Sequence, residues 1–206
     1  MQPFLHDRLQ RLSDLLDAGS TALRTCSRDE LAAADVVGDL LVQAAERYAA
    51  LSLHVEENEV LALAAELQAA RRGVVLATGE RTTSRRRELE RTVALRVLVQ
   101  LLDRLRDAVR RDGDRLAAAR EQLAPVVVYA LQSGLIDPVQ EQDDAGRAAE
   151  VRWRALTDDA TTRPAVLQLL TGVSAADALL LLLDLLEAVT PSTARSTRPV
   201  APSQRS

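Results

Sequence analysis

At 206 residues the chain is of a size for one domain with a short tail, and its composition is 47% hydrophobic, 27% charged and 2% aromatic, with a formal net charge of −4. Phe4, Tyr48, Tyr129 and Trp153 are the only aromatics, so close approach of helices over Ala and Leu must supply the core. Every basic residue except the two histidines is Arg; without Lys, Schiff-base catalysis and the P-loop are both excluded. The single cysteine, Cys26, forbids a disulfide within the chain, and the N-terminal residues lack the pattern of a signal peptide. No apolar run reaches the eighteen or so residues that a transmembrane helix needs, and the cytoplasm is the expected location.

In chain order, Pro3 to Ala18 reads as a first helix, with Leu5, Leu9, Leu12, Leu15 and Leu16 on one side and Gly19 as its stop. Ser20 to Cys26 then reads as a polar loop. Ser27-Arg28-Asp29-Glu30 matches the S-x-x-E capping box before an apolar run, and a long helix to residue 72 is expected from it. Val37, Leu41, Ala44, Tyr48, Leu51 and Val55 keep four-then-three spacing. The phase slips at Asn58 and resumes at Val60, Leu63, Leu67 and Ala70. We read the slip as a bend near Glu56-Glu57-Asn58-Glu59 in a continuous helix, although acidic residues there also suit a new N-terminus.

Gly73 to Ser84 reads as a connection, with Thr82, Thr83 or Ser84 as a cap. The central helix follows. Leu95, Leu98, Leu102, Leu105, Val109, Leu116, Ala119 and Leu123 recur at alternating steps of three and four, and only Asp112 breaks the stripe. The register survives Asp112-Gly113-Asp114, so one helix is expected there, ended or kinked by Pro125. Asp137-Pro138 then opens a polar helix to Leu156, and Pro164 to Thr171 forms a short helix closed by Gly172. Ser174-Ala175-Ala176-Asp177 resembles a capping box and starts a strongly apolar helix to Val189. The Pro/Ser/Arg segment from 191 to 206 reads as disordered.

The expected fold is therefore all-α: a helical bundle over residues 1–190, built on two long antiparallel helices near 28–72 and 84–123, with shorter flanking helices. Residues 1–70 hold 5 Arg against 12 Asp and Glu, whereas residues 71–120 hold 14 Arg against 7 acids. Two readings follow from this asymmetry. A basic helix can lie against an acidic one, or the cluster Arg81, Arg85, Arg86, Arg87 and Arg91 can meet an anionic partner such as nucleic acid. No aromatic or base-reading side chains interleave with those arginines.

The final helix is apolar nearly all round, and Leu179, Leu180, Leu182, Leu183 and Leu186 are candidates for docking on a partner as well as for the core. Val166 to Leu186 has helix-turn-helix rhythm, but its second helix offers no base-reading side chains. His54 and Glu57 reverse the Glu-x-x-His order of a di-iron site, and neither a catalytic constellation nor a cofactor motif is present in the sequence. A non-enzymatic interaction, scaffold or adaptor subunit, able to self-associate and needing no cofactor, is the expected function. A nucleic-acid-binding regulator is the alternative.

Overall fold

A computed structural model describes residues 4–29, 32–74, 85–137 and 145–189. Their regular structure is helical throughout: α1 (Leu5–Arg28), α2 (Ala33–Ala50), α3 (His54–Arg71), α4 (Arg86–Gln132), α5 (Ala145–Asp158), α6 (Arg163–Gly172) and α7 (Ala175–Val189). The disordered tail expected at 191–206 and the caps expected at 82–84 lie outside the described residues. The chain divides into two compact units at Asp114/Arg115, and α4 contributes side chains to the cores of both.

The first unit, Phe4–Asp114, packs α1, α2, α3 and the first part of α4 around Leu12, Leu41, Leu67, Leu98, Leu101 and Leu105. Polar contacts give the helix directions. Arg104 of α4 pairs with Glu59 of α3, Arg96 with Glu66, and Glu90 with Arg71. As the α3 partner advances, the α4 partner retreats, so the two helices are antiparallel. Likewise Arg8 of α1 meets Asp112 of α4, while Gly19 sits against Leu102. Arg71 near the end of α3 reaches Asp35 and the Ala34 carbonyl at the start of α2. The unit is thus an up-down-up-down arrangement of four helices.

Three sequence expectations are corrected here. First, α1 does not stop at Gly19 but runs to Arg28. Ser20, Thr25 and Ser27 donate their hydroxyls to the carbonyls of Leu16, Thr21 and Arg24, so the polar stretch is satisfied within the helix. Ser27 therefore does not cap α2; the Asp29 carboxylate accepts the Ala32 N–H instead. Second, residues 28–72 are not one bent helix. The break lies at Leu51–Leu53, and Glu56 and Glu57 fall in the first turn of α3, where the helix dipole favours acids.

That break is a Schellman motif. The Leu53 N–H bonds the Tyr48 carbonyl, the Ser52 N–H bonds the Ala49 carbonyl, and Ser52 takes φ 55°. Glycine occupies the equivalent left-handed position at the ends of α3 and α4, at Gly73 and Gly134. A side chain at Ser52 costs about 1 kcal/mol there. Ser52→Gly is accordingly expected to raise the unfolding free energy by up to about 1 kcal/mol in denaturant titration.

The third correction is to the end of α4, expected near residue 123: the helix runs to Gln132 with Pro125 inside it, so of the two outcomes read for Pro125, an end or a kink, the end does not occur. Pro125 and Glu121 are both exposed, so water can take the carbonyl that the missing N–H leaves unbonded. Upstream, α4 passes through Asp112-Gly113-Asp114 without interruption, as the register required.

The second unit, Arg115 onward, buries Leu116, Leu123, Val127, Leu156, Leu182 and Leu186, drawn from α4, α5 and α7. Asp159 starts the turn into α6 by accepting the N–H groups of Thr161 and Thr162. The buried Thr162 hydroxyl donates to the Leu156 carbonyl at 2.6 Å. Arg115 donates to the Gly172 carbonyl at the C-terminal end of α6, where a cation is favoured. Ser174 accepts the Asp177 N–H at 3.1 Å and donates to its carboxylate, capping α7 as expected. Asp137 lies at the end of the described segment and lends its carbonyl to the buried Arg152. Pro138, its expected companion in a helix cap, falls outside the described residues, as do the first residues of the polar helix expected from it.

Candidate functional site

Four places carry candidate chemistry: the arginine cluster, α7, the buried ion pair of the first unit, and a polar pocket at one end of that unit. Arg85, Arg86 and Arg87 are exposed at the start of α4, and Arg81 lies outside the described residues. Arg87 and Arg91 line a cleft of about 730 Å³ together with Asp35, Glu88 and Glu90. Carboxylates therefore stand beside the arginines in that cleft. The arginines that pair with the acids of α3 are Arg96 and Arg104, further along α4. At the end of α3, Arg71 gathers three helices: it donates to Ala34 and Asp35 of α2, and its Nε lies 3.5 Å from Glu90 of α4, an ion pair without hydrogen-bond geometry.

In α7 the five consecutive leucines divide by face. Leu181 and Leu182 are buried, as are Leu185 and Leu186 one turn on. Leu179 and Leu183 are half-buried, and Leu180 is exposed. The sequence-proposed docking set thus splits, with Leu182 and Leu186 in the core and Leu179, Leu180 and Leu183 on the outer side. Helix α6 meets α7 at 118°, an angle shared by helix-turn-helix pairs. The first turn of α7 presents Ala175 and Ala176 outward, however, and turns Asp177 fully inward. It therefore offers no side chain that reads a base edge.

Arg8 and Asp112 form a pair that sequence reasoning saw only by half. Along one guanidinium edge, the Nε and Nη2 of Arg8 donate to the two carboxylate oxygens of Asp112, whose residue exposure is 3%. In the sequence Asp112 is visible as the break in the α4 stripe. Arg8 breaks the α1 stripe in the same way, at the step between Leu5 and Leu12. Two polar interruptions in facing stripes are a signal that either one alone does not carry.

The pocket sits where the end of α2 and the start of α3 face α4. It is an open cleft of about 440 Å³ lined by Tyr48, Glu56, Glu59, Arg104, Asp107 and Arg111, among others. Tyr48 is 2% exposed, yet no described residue bonds its hydroxyl. Burial, then the nearby Glu56 carboxylate, pushes the phenol up to about 12 from 10.0, against the smaller opposing pull of Arg104. Because the folded value exceeds the unfolded one, Tyr48 leaves stability level below about pH 10. It then lowers stability as the pH climbs towards about 12. Titration of phenolate absorbance in the Tyr129→Phe protein is expected to show this late transition, and Tyr48→Phe is expected to abolish it.

Burial also raises the Cys26 thiol, and the side chain points at the Ala33 carbonyl inside the α1–α2 packing, so it is placed as a small core residue rather than a nucleophile. His54 is exposed and lies 3.1 Å from Glu57. No cluster of three or more metal-ligating side chains occurs among the described residues, and no single helix among them is long and apolar enough to cross a membrane. Comparison with protein-family models, curated proteins and solved structures finds no significant match to the chain.

Proposed function

We propose that the chain is a non-enzymatic protein–protein interaction subunit, a scaffold or adaptor that builds a larger helical assembly, and that residues 1–190 act together in it as one domain. The observation that carries this reading is the outer face of α7. A capped 15-residue helix already buries four leucines inward, yet keeps Leu180 at 37% exposure with Leu179 and Leu183 half-buried beside it. Burying a leucine from full exposure is worth about 1.5–3 kcal/mol, so a second helical surface laid over this row gains the exposed share of each, about 0.5–1 kcal/mol at Leu180. Asp184 and Glu187, one turn on from Leu180 and Leu183, place carboxylates at the C-terminal end of the same face. A second copy of the chain is the simplest occupant.

The test is the mass in solution at micromolar concentration. The unaltered chain is expected to run as an oligomer and Leu180→Glu as a folded monomer. A monomer in both cases contradicts the reading.

A second reading has one observation of its own. The register that sets Arg71 against Glu90 leaves Arg85, Arg86 and Arg87 beyond the end of α3, exposed and outside the α3–α4 ion pairs. A nucleic-acid-binding regulator would use these arginines. Its binding would fall steeply with salt and vanish on replacing all three with Ala.

A further inference from the structure

In the pocket at the α2–α3 break, most charges cancel in pairs. Arg104 is bound to Glu59 at 3.3 Å, and Arg110 to Asp107 at 3.1 Å. Three groups are left over. Glu56, half-buried, makes no ion pair among the described residues. Arg111 donates its Nε to the Asp107 carbonyl and meets no carboxylate among them, which leaves both terminal guanidinium nitrogens to offer. The Tyr48 ring is buried, and its hydroxyl, bonded to no described residue, is the part of the side chain that reaches the pocket and solvent. A phenol whose ring is held in the core and whose hydroxyl faces a polar pocket presents a fixed donor to whatever enters it. Val55, Val60 and Ala108 supply apolar wall to the same pocket.

We propose that this pocket binds a small zwitterion with an apolar side chain, of the class of free neutral α-amino acids, its ammonium held by Glu56, its carboxylate by Arg111 and the Tyr48 hydroxyl. One unpaired anion and one guanidinium without a carboxylate partner, beside an O–H donor, match a ligand that carries both charges. Either charge alone would leave one pocket group without its counterpart. The phenol stays protonated through the physiological range, so it acts as a donor to the carboxylate. The volume of about 440 Å³ lies within the range of small-molecule sites. The site lies within the first unit and is independent of the α7 face, so a ligand here is a second property of the subunit.

The experiment is calorimetric and NMR titration of the full chain with free alanine, valine, leucine and methionine. Leucinamide, which lacks the carboxylate, and 4-methylpentanoate, which lacks the ammonium, serve as single-charge controls. At least one amino acid is expected to bind and to shift the Tyr48 ring resonances, with each control weaker by roughly tenfold or more. Glu56→Gln, Arg111→Gln and Tyr48→Phe are each expected to weaken binding by about fivefold or more while circular dichroism stays unchanged, because none of the three holds a structural ion pair. If none of the four amino acids perturbs Tyr48 at millimolar concentration, or if a single-charge control binds as well as its parent, the proposal is overturned.

Discussion

Asp112→Ala is expected to destabilise the first unit by about 3 kcal/mol, because it strands the Arg8 guanidinium inside the bundle without its carboxylate. The figure stands at the low end for a buried pair because the Arg8 side chain keeps 15% exposure. The loss is a desolvation effect and does not measure what the pair contributes. Replacing both partners, as Arg8→Met with Asp112→Leu, removes the stranded charge and continues both apolar stripes. The double variant is expected to unfold within about 1 kcal/mol of the unaltered chain, or later. Denaturant unfolding of the two single variants and the double one checks this, and a double variant weaker than either single would contradict it.

Leu102→Ala carries the other large effect, and its partner makes it informative. Leu102 is 1% exposed, and a Cβ built on Gly19 would stand 2.5 Å from its Cδ2. Truncating Leu102 opens a cavity in the middle of the α1–α2–α4 packing, at about 3–4 kcal/mol. Gly19→Ala alone gains about 1 kcal/mol of helix propensity but forces Leu102 out of place, a conflict costing about 1–3 kcal/mol, so the net change runs from about neutral to about 2 kcal/mol destabilising. In the Leu102→Ala background the new methyl enters the cavity instead. Gly19→Ala is then expected to be stabilising by about 1 kcal/mol. A Gly19→Ala effect no more favourable in the Leu102→Ala background than in the unaltered chain would place Gly19 somewhere other than against Leu102.

These two contacts also show where the sequence was readable. The central helix was legible because leucines carry its stripe, and the single charged interruption at Asp112 could not end a register that continued through Leu116 and Ala119. In α1 the same three-and-four stepping runs through Leu5, Arg8, Leu12, Leu15, Gly19, Ala22 and Cys26, all buried except the partly exposed Arg8. Gly19 and Arg8 are not apolar markers, and a glycine after a leucine run reads as a stop. Only the neighbour, Leu102, turns it into a point of close approach. The break after α2 was misplaced for a related reason: Ser52 holds the left-handed position that glycine usually announces.

Charge patterning carried further. An acidic segment before an arginine-rich one foretold the α3–α4 pairing seen in Glu59–Arg104 and Glu66–Arg96. It could not distinguish those arginines from Arg85–Arg87, because that distinction depends on where α3 ends. The pocket was not legible at all. Tyr48 occupies a regular stripe position and reads as core, while Glu56, Arg104 and Arg111 come together only through the antiparallel register of α3 and α4. In α7 the run of five leucines was visible, but which of them face outward depends on how the helix is rotated against its neighbours.

The most direct test of the proposed assembly is sedimentation equilibrium of the unaltered chain over a range from nanomolar to tens of micromolar. We expect the mass to rise with concentration from the 22.4 kDa of one chain to a defined multiple, and Leu180→Glu to hold it at one chain throughout. A mass fixed at 22.4 kDa across the whole range would contradict self-association through the outer face of α7.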